Sequence, residues 1–276
     1  MFGGLLCAVS LGAEPAPAQA VTVIRAGILI DGVSGSAKAN QVIVIQGNRI
    51  ESVGSGAAPA GAAVIDLSSA TVLPGMIDGH THVFLAGEEP YVGGYEVQLL
   101  KYPLAYRAAR AVVAARRALE QGFTTIRDVE TEGAGYGDVG IKRAIDEGIV
   151  PGPRMFVSTR AISTTGGYDL DDHAPEVVVP RGAQIADGPV ETRKAAREQL
   201  ENGADWIKIY MTHRSWLDSA GNLQSQPTLT VEELKAVVDQ AHGWGKKVAC
   251  HAYTNPGMKR ALDGGCDSIE HGLELD

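Results

Sequence analysis

Apolar positions along this chain come in two rhythms. Over residues 21–70 they sit in short β-branched runs, Val21-Thr22-Val23-Ile24-Arg25-Ala26, Gln41-Val42-Ile43-Val44-Ile45 and Ala63-Val64-Ile65-Asp66-Leu67, and Arg49-Ile50-Glu51-Ser52-Val53 alternates between them. Turns at Asp31-Gly32 and Gly47-Asn48 punctuate the runs. This predicts a small β-sandwich domain, too thin to make a core alone. From Thr71 the rhythm becomes strand, helix, strand. Apolar strands are predicted at 72–77, 123–129, 154–159, 205–211, 247–252 and 267–271, and helices at 103–121, 138–147, 189–202, 231–243 and 255–263. Glycine follows the helices at Gly122, Gly148, Gly203, Gly245 and Gly264, as a helix C-cap requires. Thr230-Val231-Glu232-Glu233 is a capping box, and Gly188-Pro189 sets proline at a first helical position. Alternating strands and helices mean a parallel sheet, and six units in a row favour an α/β fold of the (β/α)8 TIM-like barrel type over 71–276. Eight strands are needed and only about six βα units are present, in fewer residues than the ~250 a barrel typically takes, so the barrel is expected to be incomplete at its C-terminal end.

Composition narrows the function classes. The 276 residues are 45% hydrophobic with a net charge of −9, which fits a globular protein and argues against a nucleic-acid or anionic-membrane partner. Residues 1–20 resemble the apolar and cleavage regions of a secretory signal, ending in Ala18-Gln19-Ala20, with the basic start missing. The segment is too short to span a bilayer, so the expected location is periplasmic or secreted with no membrane span. Without it only Cys250 and Cys266 remain, and their positions suggest no disulfide framework.

The chemistry is concentrated at strand ends. Lys208 lies in the apolar run Trp206-Ile207-Lys208-Ile209-Tyr210-Met211, where a buried cation is costly unless neutralised or used. His80 and His82 are two apart in an extended segment and share a face, which makes half a metal site or a polar turn. His251 and His271 are one βα unit apart and belong on adjacent strands. Lys208 as an ammonium has no lone pair for a metal; burial favours the amine, which can add CO₂ to give a carbamate with two oxygens. The plainer reading of Lys208 is an ion pair, with Asp128 as partner. The loop from Ser163 to Ile185 carries Asp169, Asp171, Asp172 and His173 near its start, and is expected to shape substrate access.

Pro74-Gly75-Met76-Ile77-Asp78-Gly79-His80-Thr81-His82 resembles the opening motif of the metal-dependent amidohydrolase superfamily. The stretch from Gly122-Phe123-Thr124-Thr125-Ile126-Arg127-Asp128 through Pro151-Gly152-Pro153-Arg154 resembles its imidazolonepropionase-like or Xaa-Pro dipeptidase-like branch, as do Thr164-Thr165-Gly166-Gly167, Gly203-Ala204-Asp205-Trp206-Ile207-Lys208 and Ser268-Ile269-Glu270-His271-Gly272. The resemblance implies two divalent metal ions, zinc by default, with His80 and His82 on the more buried one, His251 and His271 on the second, and carboxylated Lys208 bridging them. It implies attack by a metal-bridging hydroxide on a C–N (amide or peptide) bond of a small substrate such as a dipeptide or N-acyl amino acid. Tyr253 and Tyr168 are the candidate substrate-binding side chains; at Tyr168 related sequences tend to carry a histidine. The family's strand-eight aspartate has no counterpart before Asp276. A mononuclear cyclic-amide hydrolase or deaminase, and an inactive fragment of such an enzyme, are the alternatives. Homo-oligomerisation is left open.

Overall fold

The computed structural model describes residues 20–86, 94–168, 170 and 173–274, and divides after Pro74 into two compact units. The signal-like segment before residue 20, the acids Asp169, Asp171 and Asp172, and Asp276 lie outside the described residues.

In the first unit β1 (Val21–Leu29), β2 (Lys38–Gln46), β3 (Arg49–Gly54) and β4 (Ala63–Val72) form one sheet ordered β3-β2-β1-β4. β1 pairs antiparallel with β2 and parallel with β4. Ala26, Leu29 and Ile43 are buried as a small cluster, whereas Ile50, Val64 and Ile65 are exposed. Of the expected sandwich, the described residues of this unit supply one layer.

β4 runs five residues past its expected end, and the strand expected over 72–77 is broken. Pro74 has no N–H for a ladder, and the next strand, β5 (Met76–Thr81), starts after Gly75, where a Cβ would collide with Thr124.

The second unit follows the strand–helix alternation. After α1 (Gly94–Lys101) and α2 (Leu104–Glu120) come β6 (Phe123–Asp128), α3 (Gly137–Asp146) and β7 (Arg154–Val157). Then follow the two-residue strands β8 (Ile162–Ser163) and β9 (Gln184–Ile185), α4 (Gly188–Glu201) and β10 (Trp206–Tyr210). The strands β11 (Thr212–Leu217) and β12 (Leu223–Pro227), α5 (Val231–Gly243), β13 (Lys247–Ala252), α6 (Gly257–Gly264) and β14 (Ser268–His271) complete it. β5-β6-β7 and β14-β13-β10-β8-β9 are two parallel sheets. Asp205, entering β10, joins them: its N–H donates to Val157 O at 2.8 Å and its carboxylate accepts from Val157 N–H at 3.1 Å. Five of the six expected strands and all five expected helices are present within a few residues, and the first strand is displaced to Met76–Thr81.

Alternation along the strands separates two environments. Ile207, Ile209, Val248, Cys250 and Ala252 pack outward against Ala196 and Leu200 of α4, Leu234 and Val237 of α5, and Met258 of α6. Lys208, Tyr210, His251 and Glu270 occupy the opposite face of the same strands. The sheet is therefore apolar only where it meets helices.

Four features depart from expectation. β11 and β12 form an antiparallel hairpin across the turn at 218–222, and α1 was not foreseen. The left-handed residue closing α6 is Gly265, φ +88°; Gly264 instead makes room for Leu234, with which a Cβ would collide. Cys250 and Cys266 are paired as a disulfide with Cα atoms 6.2 Å apart, correcting the expectation of unpaired cysteines: β13 and the residues leading into β14 bring them within bonding reach. The capping box holds, with Glu233 N–H donating to Thr230 Oγ1 and Thr230 N–H to Glu233 Oε2; Glu233 Oε1 also accepts from Gly188 N–H and so ties α5 to the start of α4.

Candidate metal centre

The end of β5 is fixed by its neighbour β6. Thr81 O accepts from Val129 N–H, and Asp128 Oδ1 accepts from Val83 N–H at 2.8 Å. Asp128 is thus occupied with the loop after β5, and no ion pair among the described residues joins it to Lys208. The ion-pair reading of Lys208 with Asp128 is corrected accordingly. His80 and His82 converge, with their Nε2 atoms 3.2 Å apart. His251 of β13 and His271 of β14 stand with ring centroids 4.6 Å apart, because the parallel register aligns Ala252 with His271. His271 also lies 4.7 Å from the His80 ring. Lys208, 1% exposed, comes from the intervening interior of β10, its Nζ 5.4 Å from the Tyr210 ring. The four histidines thus form a connected cluster, His82 to His80 to His271 to His251, and Lys208 lies near enough for its charge to bear on His82, His251 and His271.

The hydrogen bonds at the far side of the β5 histidines fix their tautomers. His80 Nδ1 is 2.6 Å from Glu270 Oε2, and His82 Nδ1 is 3.2 Å from the Glu130 carbonyl. A carboxylate and a carbonyl can only accept, so both Nδ1 atoms carry the proton. Burial, then the Lys208 charge, lowers His82 to about 3, which leaves its Nε2 a bare lone pair. His80 Nε2 faces it at 3.2 Å, a separation that requires a proton or a metal cation between the two nitrogens. This donor set fits a divalent ion held by imidazoles. His251 is lowered by burial and by Lys208, and His271 is lowered to about 4 by burial and His80, so these ring nitrogens are also neutral near pH 7. Lys208 itself is lowered by burial, although Glu130, Glu132 and Glu270 pull the other way. Among the described residues no ion pair involves its Nζ.

Residues 71–276 match the model of the amidohydrolase family. The chain belongs to that family. It is 33% identical over 272 residues to ochratoxinase from Aspergillus niger, an alignment covering 91% of this chain and 54% of that protein. A solved Xaa-Pro dipeptidase with methionine bound in its active site superposes with a TM-score of 0.79 at 34% identity, over 93% of this chain and 63% of that one. Imidazolonepropionase from Streptomyces coelicolor is a distant relative at 24% identity, covering 84% of this chain and 57% of that protein. The chain spans about half the length of the curated relatives it matches. As an amidohydrolase it has the α/β TIM-barrel fold of its structural neighbours, in a family of hydrolases acting on carbon–nitrogen bonds.

Several side chains in this amidohydrolase site were not singled out in the sequence. Glu130 and Glu132 follow β6 and are buried, with donor atoms that lie with one of His82 within 4.8 Å of one another. Burial pushes both carboxyls up, with their mutual repulsion adding at Glu130. Glu130 Oε2 accepts from Tyr210 OH at 2.6 Å, while its Oε1 has no partner in the described structure. Glu132 Oε1 lies 3.5 Å from His82 Nδ1. The spacing Asp128-x-Glu130-x-Glu132 was the available signal, three acids at and just past the end of β6. Tyr168, a candidate substrate residue, is buried; it donates to Glu132 Oε2 at 2.6 Å and sits 2.7 Å from Tyr95 OH, so it supports that carboxylate. Tyr253 lies beside the histidines, 4.5 Å from the His251 ring and 5.0 Å from His271. His173 is exposed. Among the described residues, no helix is long and apolar enough to cross a membrane.

Proposed function

We propose that the protein to which this chain belongs hydrolyses amide bonds of small substrates, dipeptides or N-acyl amino acids, with two divalent metal ions held by His80, His82, His251, His271 and carboxylated Lys208. The observation that carries the reading is the pair of imidazole Nε2 atoms facing each other at 3.2 Å beside a buried lysine that makes no ion pair among the described residues. Such ions, zinc by default, would supply Lewis acidity towards the carbonyl and lower the pKa of a water molecule.

The chain's own residues prepare the site. Burial holds Lys208 towards the neutral amine, whose lone pair can add to CO₂; the C–N bond forms, one proton leaves the nitrogen, and an anionic carbamate results. Glu270 and the Glu130 carbonyl orient the β5 histidines, and Tyr253 faces them as the candidate contact for a substrate carboxylate or developing oxyanion. The dipeptide and N-acyl substrate class rests on the similarity to the Xaa-Pro dipeptidase and ochratoxinase. Export is part of the same proposal and rests on residues 1–20 alone. The mononuclear alternative predicts one metal per chain and no role for Lys208.

The test is hydrolysis of Xaa-Pro dipeptides and N-acyl amino acids by the full-length protein, supplied with Zn²⁺ and bicarbonate. Lys208→Ala is expected to abolish turnover, with partial rescue by short carboxylic acids. Unchanged turnover in Lys208→Ala refutes the binuclear reading.

A further inference from the structure

His80 is held from behind by a chain of polar contacts that no motif revealed. Glu270 Oε2 takes its Nδ1 proton at 2.6 Å, and Glu270 is itself clamped on its other oxygen by Arg127 at 2.8 Å and Ser268 Oγ at 2.6 Å. Arg127 Nε donates to Gly79 O at 2.6 Å, its second nitrogen reaches Ser268 Oγ at 3.1 Å, and its guanidinium stacks 4.4 Å over the Trp206 ring. One side chain on β6 thus grips the backbone beside His80 and the carboxylate that orients it. Glu270 is 5% exposed, so its own contacts to His80, Arg127 and Ser268 are shielded from bulk water, a setting in which charge-assisted hydrogen bonds are strongest.

The backbone of β14 is shaped for this. Consecutive residues of a strand point to opposite faces, yet Glu270 bonds His80 while the ring of His271 lies 4.7 Å from the same histidine. His271 adopts φ +74°, a left-handed conformation that only glycine takes easily, and this turns two successive side chains into one site.

We propose that Glu270, clamped by Arg127 and Ser268, is the positioning residue of the metal centre. It fixes His80 as the Nδ1–H tautomer with Nε2 aimed at the metal, and the Glu270-His271 step ties the β5 histidines to those of β13 and β14. The inference rests on the metal-site reading above. Carboxylates behind ligating histidines raise ligand basicity and remove a tautomeric choice, and their loss typically weakens metal binding by roughly 10–100-fold.

The experiment measures Zn²⁺ affinity by chelator competition and histidine ring tautomers by ¹⁵N NMR on the metal-free full chain, with His80→Gln assigning the His80 signals. Glu270→Gln is expected to weaken Zn²⁺ binding roughly 10–100-fold and to release His80 into a mixture of tautomers. Wild-type affinity and an unchanged tautomer in folded Glu270→Gln overturn the proposal. A wild-type His80 carrying its proton on Nε2 also overturns it, whether or not the variant folds. If His80→Gln itself leaves Zn²⁺ affinity unchanged, the metal-site reading fails; if His80→Gln weakens binding and Glu270→Gln does not, only the positioning role fails.

Discussion

Replacing Lys208 with methionine separates stability from function. Methionine keeps the length of the side chain and removes its polar end, at a position 1% exposed and without an ion pair among the described residues. Burying an amine without a good partner costs about 1–3 kcal/mol. Glu130 and Glu132 lose a neighbouring cation in the variant, but burial already pushes both towards their neutral acids, which need none. Metal-free Lys208→Met is therefore expected to be about 1–3 kcal/mol more stable than the wild type. Zinc reverses the order. A ligand present at 100 times its Kd adds about 2.7 kcal/mol to a protein that binds it, and the variant, lacking the carbamate, should gain little. Urea unfolding followed by tryptophan fluorescence, with bicarbonate and either Zn²⁺ or a chelator, reads this directly: Trp206, Trp216 and Trp244 all lie in the second unit. Equal stabilisation of both proteins by Zn²⁺ would refute a role for Lys208 at the metal. A metal-free variant less stable than wild type would show that the lysine is a structural cation.

Two further outcomes follow from the site and its support. His82 has its pKa lowered to about 3 in the fold from an ordinary 6.5, so the unfolded chain binds the extra proton first and stability is lost as pH falls below 6.5. The stability difference between metal-free wild type and His82→Gln should shrink by at most about 1.4 kcal/mol per pH unit between pH 6.5 and 4, and a flat difference contradicts a neutral buried His82. Cys250 and Cys266 are 16 residues apart, and closing a loop of that size contributes about 3 kcal/mol; a urea midpoint unmoved by a thiol reductant would show that the bond contributes nothing.

Much of the second unit is readable in the sequence because its helices carry explicit end signals and its strands are short apolar runs. The capping box at Thr230 and the left-handed glycines at Gly122, Gly148, Gly203 and Gly245 do what their residue types require. The hairpin β11–β12 carries no sequence signal because polar residues dominate both strands, so no apolar run marks them. The histidines stand out because they interrupt apolar patterns at or near strand ends, and Lys208 because it interrupts one in mid-strand. Their supporting carboxylates do not. Glu130, Glu132 and Glu270 are ordinary residues in sequence, and only the register of β13 with β14 and the left-handed turn at His271 bring Glu270 behind His80. The same holds for Cys250 and Cys266, whose pairing depends on how α6 returns the chain to β14.

The central claim is that His80, His82, Lys208, His251 and His271 together hold divalent metal ions. The most direct measurement is a crystal structure of the zinc-loaded full-length protein with anomalous data at the zinc edge, together with the metal content per chain. Two zinc peaks among these five residues, with extra density on Lys208 Nζ for a carbamate, are the predicted result. A single ion bound by His82, Glu130 and Glu132 with Lys208 unmodified, or no zinc at the histidines, would contradict it.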